Sequence, residues 1–321
     1  MPSSKNPTTT EHLRVGTRSS PLALWQTNWI ISELQARFPS LTIETTVIKT
    51  TGDKILDSPL SLIGDKGLFT KEIEKALLDG EIDLAVHSMK DVPTLLPDGL
   101  IISAVTERED IRDVFISHPD KKYSTFAEVP SGAVIATGSL RRKSQLLHHR
   151  PDLSIHDIRG NLQTRRKKLE DSDWAGMLLA RAGVKRLGWD EIISEILSAD
   201  FILPAVGQGA LAIETRANDE STKQKVHILN HPETRIAVEA ERALLRKLEG
   251  GCQVPIGTHG RIENGQLKLD AMIAGLEGTP MIRGTRSGSP QDAEKMGIDL
   301  AEELFRKGGD KILESIRKSH A

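Results

Sequence analysis

The chain holds a single cysteine in 321 residues, and it stands in the run Glu249-Gly250-Gly251-Cys252-Gln253-Val254-Pro255-Ile256-Gly257. A lone thiol cannot close an internal disulfide, so any chemistry it performs rests on its own reactivity. Gly250 and Gly251 before it and Pro255 after it mark a tight loop that holds the sulfur clear of regular backbone. The bland alternative is a buried cysteine packed as a small hydrophobe. A Gly-Gly-Cys loop is a poor place for a core residue, which counts against that alternative.

Three further segments place polar groups just after strand-like runs. They are Gly16-Thr17-Arg18-Ser19-Ser20-Pro21, Thr137-Gly138-Ser139-Leu140-Arg141-Arg142 and Ile158-Arg159-Gly160-Asn161-Leu162-Gln163-Thr164-Arg165. In each, a glycine permits a sharp turn and a hydroxyl or amide can cap the helix that follows. Helix N-termini attract anions, and arginine forks bind carboxylates bidentately. Three such segments point to a polycarboxylate or phosphate ligand; the competing reading is a solvated helix face. A fourth segment, His87-Ser88-Met89-Lys90-Asp91-Val92-Pro93, follows an apolar strand. An aspartate there, beside Lys90, could do acid–base work or stabilise a cation. Taken alone, the segment favours Asp91 as a turn residue before Pro93. His87 is expected to be structural and His148 and His149 to lie on the surface, and no spacing resembles a zinc site. Lys66-Gly67-Leu68-Phe69 can present a basic group from a flexible loop. No Walker loop or Gly-x-Gly-x-x-Gly run follows a strand, so nucleotide binding is not expected.

The elements that would carry these groups alternate in type. Leu13–Thr17 reads as a strand and Pro21–Arg37 as a helix, with Ser20 as cap and Pro21 at its first position. Leu41–Ile48 and Ile82–Val86 read as strands around an amphipathic helix over Phe69–Leu78. Ala133–Thr137, Leu153–Ile158 and Met177–Ala180 read as further strands, each followed by helix signals, and Ala210–Glu214 as a strand returning to the first sheet. The fold class is α/β with mixed, mostly parallel sheets in two lobes. The chain is expected to cross between lobes near Thr106–Asp110 and Phe201–Gln208, with the ligand in the cleft between them. Lobe 1 is expected over 12–108 with 204–224 and lobe 2 over 109–203. A small α+β domain over 225–321 would hold a helix at Pro232–Leu248, a hairpin or meander at Gly257–Gly288 and a helix at Pro290–Arg306.

Composition agrees with a globular, multi-domain chain: 38% of residues are apolar and 3% aromatic. No apolar run is long enough to span a bilayer. Residues 1–11 are polar, lack a secretory core and are expected to form a disordered tail, which with a single cysteine suggests the cytoplasm. The 43 basic and 45 acidic residues give a net charge of −2, which argues against general nucleic-acid binding. The cations are uneven, however, and cluster from Arg141 through Arg150 and Arg159 to Arg166.

These runs, together with Arg18-Ser19-Ser20-Pro21-Leu22-Ala23-Leu24-Trp25-Gln26, Leu203-Pro204-Ala205-Val206-Gly207-Gln208-Gly209 and Glu241-Arg242, resemble the porphobilinogen deaminase family over residues 13–318. The resemblance implies two lobes like those of periplasmic binding proteins plus a small third domain. It implies a transferase of tetrapyrrole and haem biosynthesis that joins four porphobilinogen molecules into linear hydroxymethylbilane and releases ammonia. The growing chain would hang from a dipyrromethane cofactor joined by a thioether to Cys252. Asp91 would be the catalytic acid that stabilises cationic intermediates. Carboxylates of substrate and cofactor would be held by Arg18, Ser20, Lys66, Ser88 and Lys90 from the first lobe. Thr137, Ser139, Arg141, Arg142, Arg159 and Arg165 would do so from the second, joined by Arg186, Gln208 and Arg242. The expected partner is porphobilinogen alone, acting on a monomer, with no metal, nucleic acid or membrane. Some members carry a lysine before the residue matching Gly64, where this chain has Leu62-Ile63, so no basic role passes to that position.

Two other readings compete on sequence. A non-catalytic two-lobed receptor for a small polycarboxylate shares the architecture, and fold does not fix function. A cysteine hydrolase needs a histidine partner, and none can be assigned from sequence, since His259 is the only one near Cys252 and follows a Pro-Gly loop.

Overall fold

The computed structural model describes residues 12–54, 67–248 and 254–320. Lys66, Cys252 and the proposed tail over 1–11 lie outside the described residues. The chain opens with β1 (His12–Thr17), α1 (Pro21–Arg37), β2 (Thr42–Val47) and α2 (Thr51–Lys54). After the gap come α3 (Lys71–Leu78), β3 (Leu84–Ser88) and β4 (Leu100–Val105). Helix α1 starts where the sequence predicts: Pro21 takes the first position and Ser20 Oγ accepts from the Ala23 amide. Its Ile30 and Leu34 pack against Val15, Leu84 and Val86, which explains why these apolar runs form buried strands rather than surface ones.

The second series is β5 (Asp113–Ser117), β6 (Val134–Ala136), α4 (Leu140–His149), β7 (Ser154–His156), α5 (Leu162–Glu170), β8 (Gly176–Ala180), α6 (Arg181–Arg186) and β9 (Glu195–Ile196). The chain then returns through β10 (Leu211–Arg216) and α7 (Glu220–Val226). Strand order is β2-β1-β3-β10-β4 in one sheet and β7-β6-β8-β5-β9 in the other. The two orders are the same pattern. Each sheet has four strands running one way and one antiparallel strand in fourth place. That odd strand is in each case the one that follows a crossing: β5 after β4, and β10 after β9. The carboxyl ends of β1, β3, β6 and β7 carry the polar segments singled out above, and a crevice outside such ends is where open α/β sheets bind ligands.

The remainder is α8 (Pro232–Lys247), an antiparallel sheet of β11 (Ile256–Glu263), β12 (Gln266–Ala274) and β13 (Met281–Gly288), then α9 (Ala293–Leu304) and α10 (Asp310–His320). Leu244, Leu267, Leu269, Ile273, Leu300 and Leu304 form its core. The sequence reading ran the penultimate helix to Arg306 and missed α10. Gly308 breaks the helix with φ +101°, a conformation that costs glycine little, and α10 restarts beyond it. Strands β4, β5 and β9 were also not read individually. Two-residue β9 is too short to show any period.

Candidate active site

At the carboxyl end of β3 the backbone turns through one 3-10 turn, Met89–Asp91. Met89 and Val92 are buried and anchor this turn, leaving Lys90 and Asp91 outward. The Met89 amide donates to Ala210 O at 3.0 Å, which ties the turn to the second crossing. From α8, Arg242 donates to Val92 O at 3.1 Å and Pro93 O at 2.6 Å. Arg242, expected to meet ligand carboxylates, is thus spent largely on backbone carbonyls that hold the Asp91 turn. Ser88 Oγ accepts from Gln26 Nε2 of α1 at 2.9 Å. The Asp91 carboxylate is exposed and makes no hydrogen bond among the described residues.

Lys90 opens to the cleft, yet protein surrounds it, and desolvation pushes its ammonium pKa down to about 8. Arg142 and Arg141 push it the same way, whereas Asp91 and Asp113 oppose them. Arg18 turns toward its own lobe: its guanidinium bonds Asp53 and stacks 4.2 Å over the Phe69 ring. Ser20 is taken up as the cap of α1.

The second lobe is organised by one acid that the sequence reading passed over. Asp113 opens β5, fully buried, and receives Arg141 Nη2 and Arg142 Nη2, each at 2.8 Å. Burial alone would raise its pKa, but the two guanidiniums hold it far below the usual carboxylate range. The available signal was a charged residue directly before Val114-Phe115-Ile116. Arg141 also donates to Leu203 O at 2.7 Å, so it faces the crossing rather than open cleft. Arg142 bonds Leu178 O at 3.2 Å and lines the cavity between the lobes. Both leave Thr137-Gly138-Ser139, where Ser139 Oγ caps α4 and Thr137 Oγ1 accepts from the Ser139 amide at 3.3 Å. A Cβ on Gly138 would sit 2.5 Å from Ile158 O, so only glycine fits this turn.

Arg165 Nε donates to Gly160 O at 2.8 Å, and no carboxylate pairs with it among the described residues. Desolvation, with Arg142 and Arg159 nearby, lowers its pKa to about 10. Arg186 bonds Gly209 O at 2.6 Å, and burial likewise brings it to about 10. Arg159 is buried, with its pKa lowered by desolvation. All three stay charged at neutral pH. Gln208, expected among the carboxylate contacts, spends its amide hydrogens on Ile111 O at 2.7 Å and Asp113 Oδ1 at 2.9 Å. It has no donor left for a carboxylate.

Lys90, Arg142, Arg165 and Arg186 therefore converge on one cavity, with Leu22, Leu162 and Leu179 as its apolar wall. This donor set suits a flat ring bearing several carboxylates and gives a metal nothing to bind. No group of acids, histidines or cysteines among the described residues could hold a metal ion. No described helix is long and apolar enough to cross a membrane.

Residues 13–224 match the family model described as porphobilinogen deaminase, dipyromethane cofactor binding domain. Residues 235–306 match its companion, porphobilinogen deaminase, C-terminal domain. This chain belongs to the porphobilinogen deaminase family. Relatives within the family are similar over nearly the whole length. The porphobilinogen deaminase of Chlorobium limicola is 57% identical, the match covering 96% of this chain and 99% of that protein. That of Geobacter sulfurreducens is 52% identical, covering 95% and 94%. Among solved structures, the aliphatic sulphonate binding protein SsuA of Escherichia coli is similar at a TM-score of 0.40 and 15% identity, over 74% of this chain and 71% of that one. The VFT2 domain of Bordetella pertussis BvgS is similar at 0.42 and 14%, over 67% and 85%.

Proposed function

We propose that the chain links four porphobilinogen molecules head to tail, releasing one ammonia per unit, on a dipyrromethane held by Cys252 through a thioether, and frees linear hydroxymethylbilane by hydrolysis with one water. The observation that carries this reading is the pairing of an uncommitted carboxylate, Asp91, with a cavity whose Lys90, Arg165 and Arg186 have no acidic partner among the described residues. A pyrrole that carries an acetate and a propionate supplies the missing anions. Bound dipyrromethane would supply the pyrrole carbon to which the first unit is added.

The chain's own residues do the rest. Lys90, Arg142, Arg165 and Arg186 hold the carboxylates and orient the ring, as charge-assisted bonds do best. Asp91 can pass a proton to the departing amine, stabilise the cationic carbon left behind and take up the proton released at the new bond. Its turn is fixed from below by Met89 and from the side by Arg242, so the carboxylate is positioned while remaining free. Helix α8, which braces the Asp91 turn, ends at Lys247, five positions before Cys252 in sequence.

The same reading takes 12–108 with 204–224, 109–203 and 225–321 as three units, supported by the membership of the three sheets, and a cytoplasmic monomer. Intact mass tests it: the protein should exceed its sequence mass by two pyrrole units, and Cys252→Ser should lose that increment. Ammonia release from porphobilinogen separates the enzyme from a two-lobed receptor. An active protein of unmodified mass would remove the thioether.

A further inference from the structure

Four cations line the cavity between the lobes, and one lining residue carries a buried acceptor with no donor. Gln208 is 1% exposed and lies in the second crossing. Its amide nitrogen faces Ile111 O and Asp113 Oδ1. Both partners only accept, so the amide cannot be turned round: the nitrogen must face them and Oε1 must face away. Oε1 is buried and accepts no hydrogen bond, and Gln208 lines the cavity. Lys90, Arg142, Arg165 and Arg186 line the same cavity, yet none of them donates to it. Buried acceptors are rarely left unsatisfied, so the missing donor is expected to come from the ligand.

A carboxylate cannot be that donor, because it too only accepts and would repel Oε1. A ring N–H can. We infer that Gln208 Oε1 accepts the ring N–H of a pyrrole seated in this cavity, so that Gln208 reads the ring nitrogen while the cations read its carboxylates. The inference rests on the porphobilinogen reading above and adds to it a selector for the heteroatom. Leu22, Leu162 and Leu179 give the ring an apolar wall, which offers its N–H no acceptor in place of Oε1.

Equilibrium binding to the cofactor-loaded protein tests this without turnover. One ligand is a pyrrole with the acetate and propionate of porphobilinogen but a methyl group in place of the aminomethyl. The other is its furan isostere, whose ring oxygen offers no donor. Wild type should bind the pyrrole at least about tenfold more tightly than the furan. In Gln208→Met, which keeps the length but lacks a strong acceptor, the preference should fall to about twofold or less. Gln208→Glu keeps an acceptor oxygen at this position and should keep the preference, even where repulsion from Asp113 lowers its melting temperature. Equal binding of pyrrole and furan by wild type overturns the inference, whatever the variants do. So does a full preference in folded Gln208→Met. A Gln208→Met protein that instead stops distinguishing the diacid from its diamide would return Gln208 to the carboxylate contacts. Ammonia release by wild type, measured alongside, separates the two claims: without it the proposed function fails, and with it but no ring preference only the role of Gln208 fails.

Discussion

Arg108 and Glu241 form a bidentate ion pair at the point where the two crossings and the third unit meet, with Nη1–Oε1 at 2.6 Å and Nη2–Oε2 at 3.1 Å. The same carboxylate accepts the Gly207 amide at 2.6 Å and the Gly260 amide at 2.7 Å. Arg108 Nε donates to Gln208 O at 2.8 Å. One acid thus holds both crossings and β11 onto α8. Its neighbour Arg242 holds the Asp91 turn onto that helix. Residues 241 and 242 therefore fix the helix that precedes Cys252 against both crossings and the Asp91 turn.

Breaking this pair from either side should cost about 3–5 kcal/mol, because the partner is left charged and buried. Glu241→Gln fails even though it keeps the shape, since one amide oxygen cannot replace two in serving four donors. Chemical denaturation of Arg108→Leu, Glu241→Gln and the double variant checks this. The double variant should lose much less than the sum. Losses within about 0.5 kcal/mol, as at an ordinary surface position, would mean the pair does not hold the units together.

Lys90 should set an alkaline limit on substrate affinity. Its folded pKa is lowered to about 8, so the cation is lost as pH rises through that value, whereas the unfolded chain keeps its proton to about 10.4. Between those values the unfolded chain binds more protons, so this residue makes stability rise with pH. Affinity moves the other way, because the ammonium that attracts carboxylates is disappearing. KM for porphobilinogen should climb above about pH 8. Lys90→Arg should remove that limb, since guanidinium stays charged, and Lys90→Met should show a raised, flat KM. An alkaline limb that survives unchanged in Lys90→Arg would assign it to another group.

Asp91 is exposed and unbonded among the described residues, so its removal should cost activity and not stability. Asp91→Asn should keep its melting temperature and its cofactor mass while turnover falls by ~10²–10⁴. Asp91→Glu should fall less, because the charge survives although the geometry shifts. Near-normal turnover by cofactor-loaded Asp91→Asn would leave Asp91 as a turn residue before Pro93.

How legible the sequence was depends on how local each signal is. Ser20-Pro21 and the apolar spacing behind it located α1 at both ends, because capping and helical period are written within one element. The strand–Gly–helix turns at Gly138 and Gly160 were legible for the same reason. Asp113, Arg108, Glu241 and Gln26 were not, because each acquires its role from partners far along the chain. Asp113 meets Arg141 and Arg142, 28 and 29 positions later, and Arg108 meets Glu241 across 133. Residue type was legible where partners were not: Arg141 and Arg242 are cations near the cleft, and their hydrogen bonds go to Leu203, Val92 and Pro93. Residue type announces charge. Only the fold assigns which charge is already spent.

That distinction divides the arginines experimentally. Arg141 bonds Asp113 and Leu203 O inside the protein, so Arg141→Leu should lose about 3–5 kcal/mol on denaturation by leaving Asp113 half-paired. Arg165 has no acidic partner among the described residues and feels Arg142 and Arg159. Removing it relieves like-charge repulsion, so Arg165→Leu should melt at or above the wild-type temperature. What it loses is ligand. One charge-assisted contact of about 1.5–3 kcal/mol corresponds to roughly ten- to a hundredfold weaker substrate binding. Native mass spectra of Arg165→Leu during turnover should therefore show elongation stalling on a fully folded protein, whereas Arg141→Leu should show a fraction without cofactor that grows with temperature. If Arg165→Leu destabilises as much as Arg141→Leu while elongating normally, its charge serves the fold, and the cavity it lines is not where the carboxylates are held.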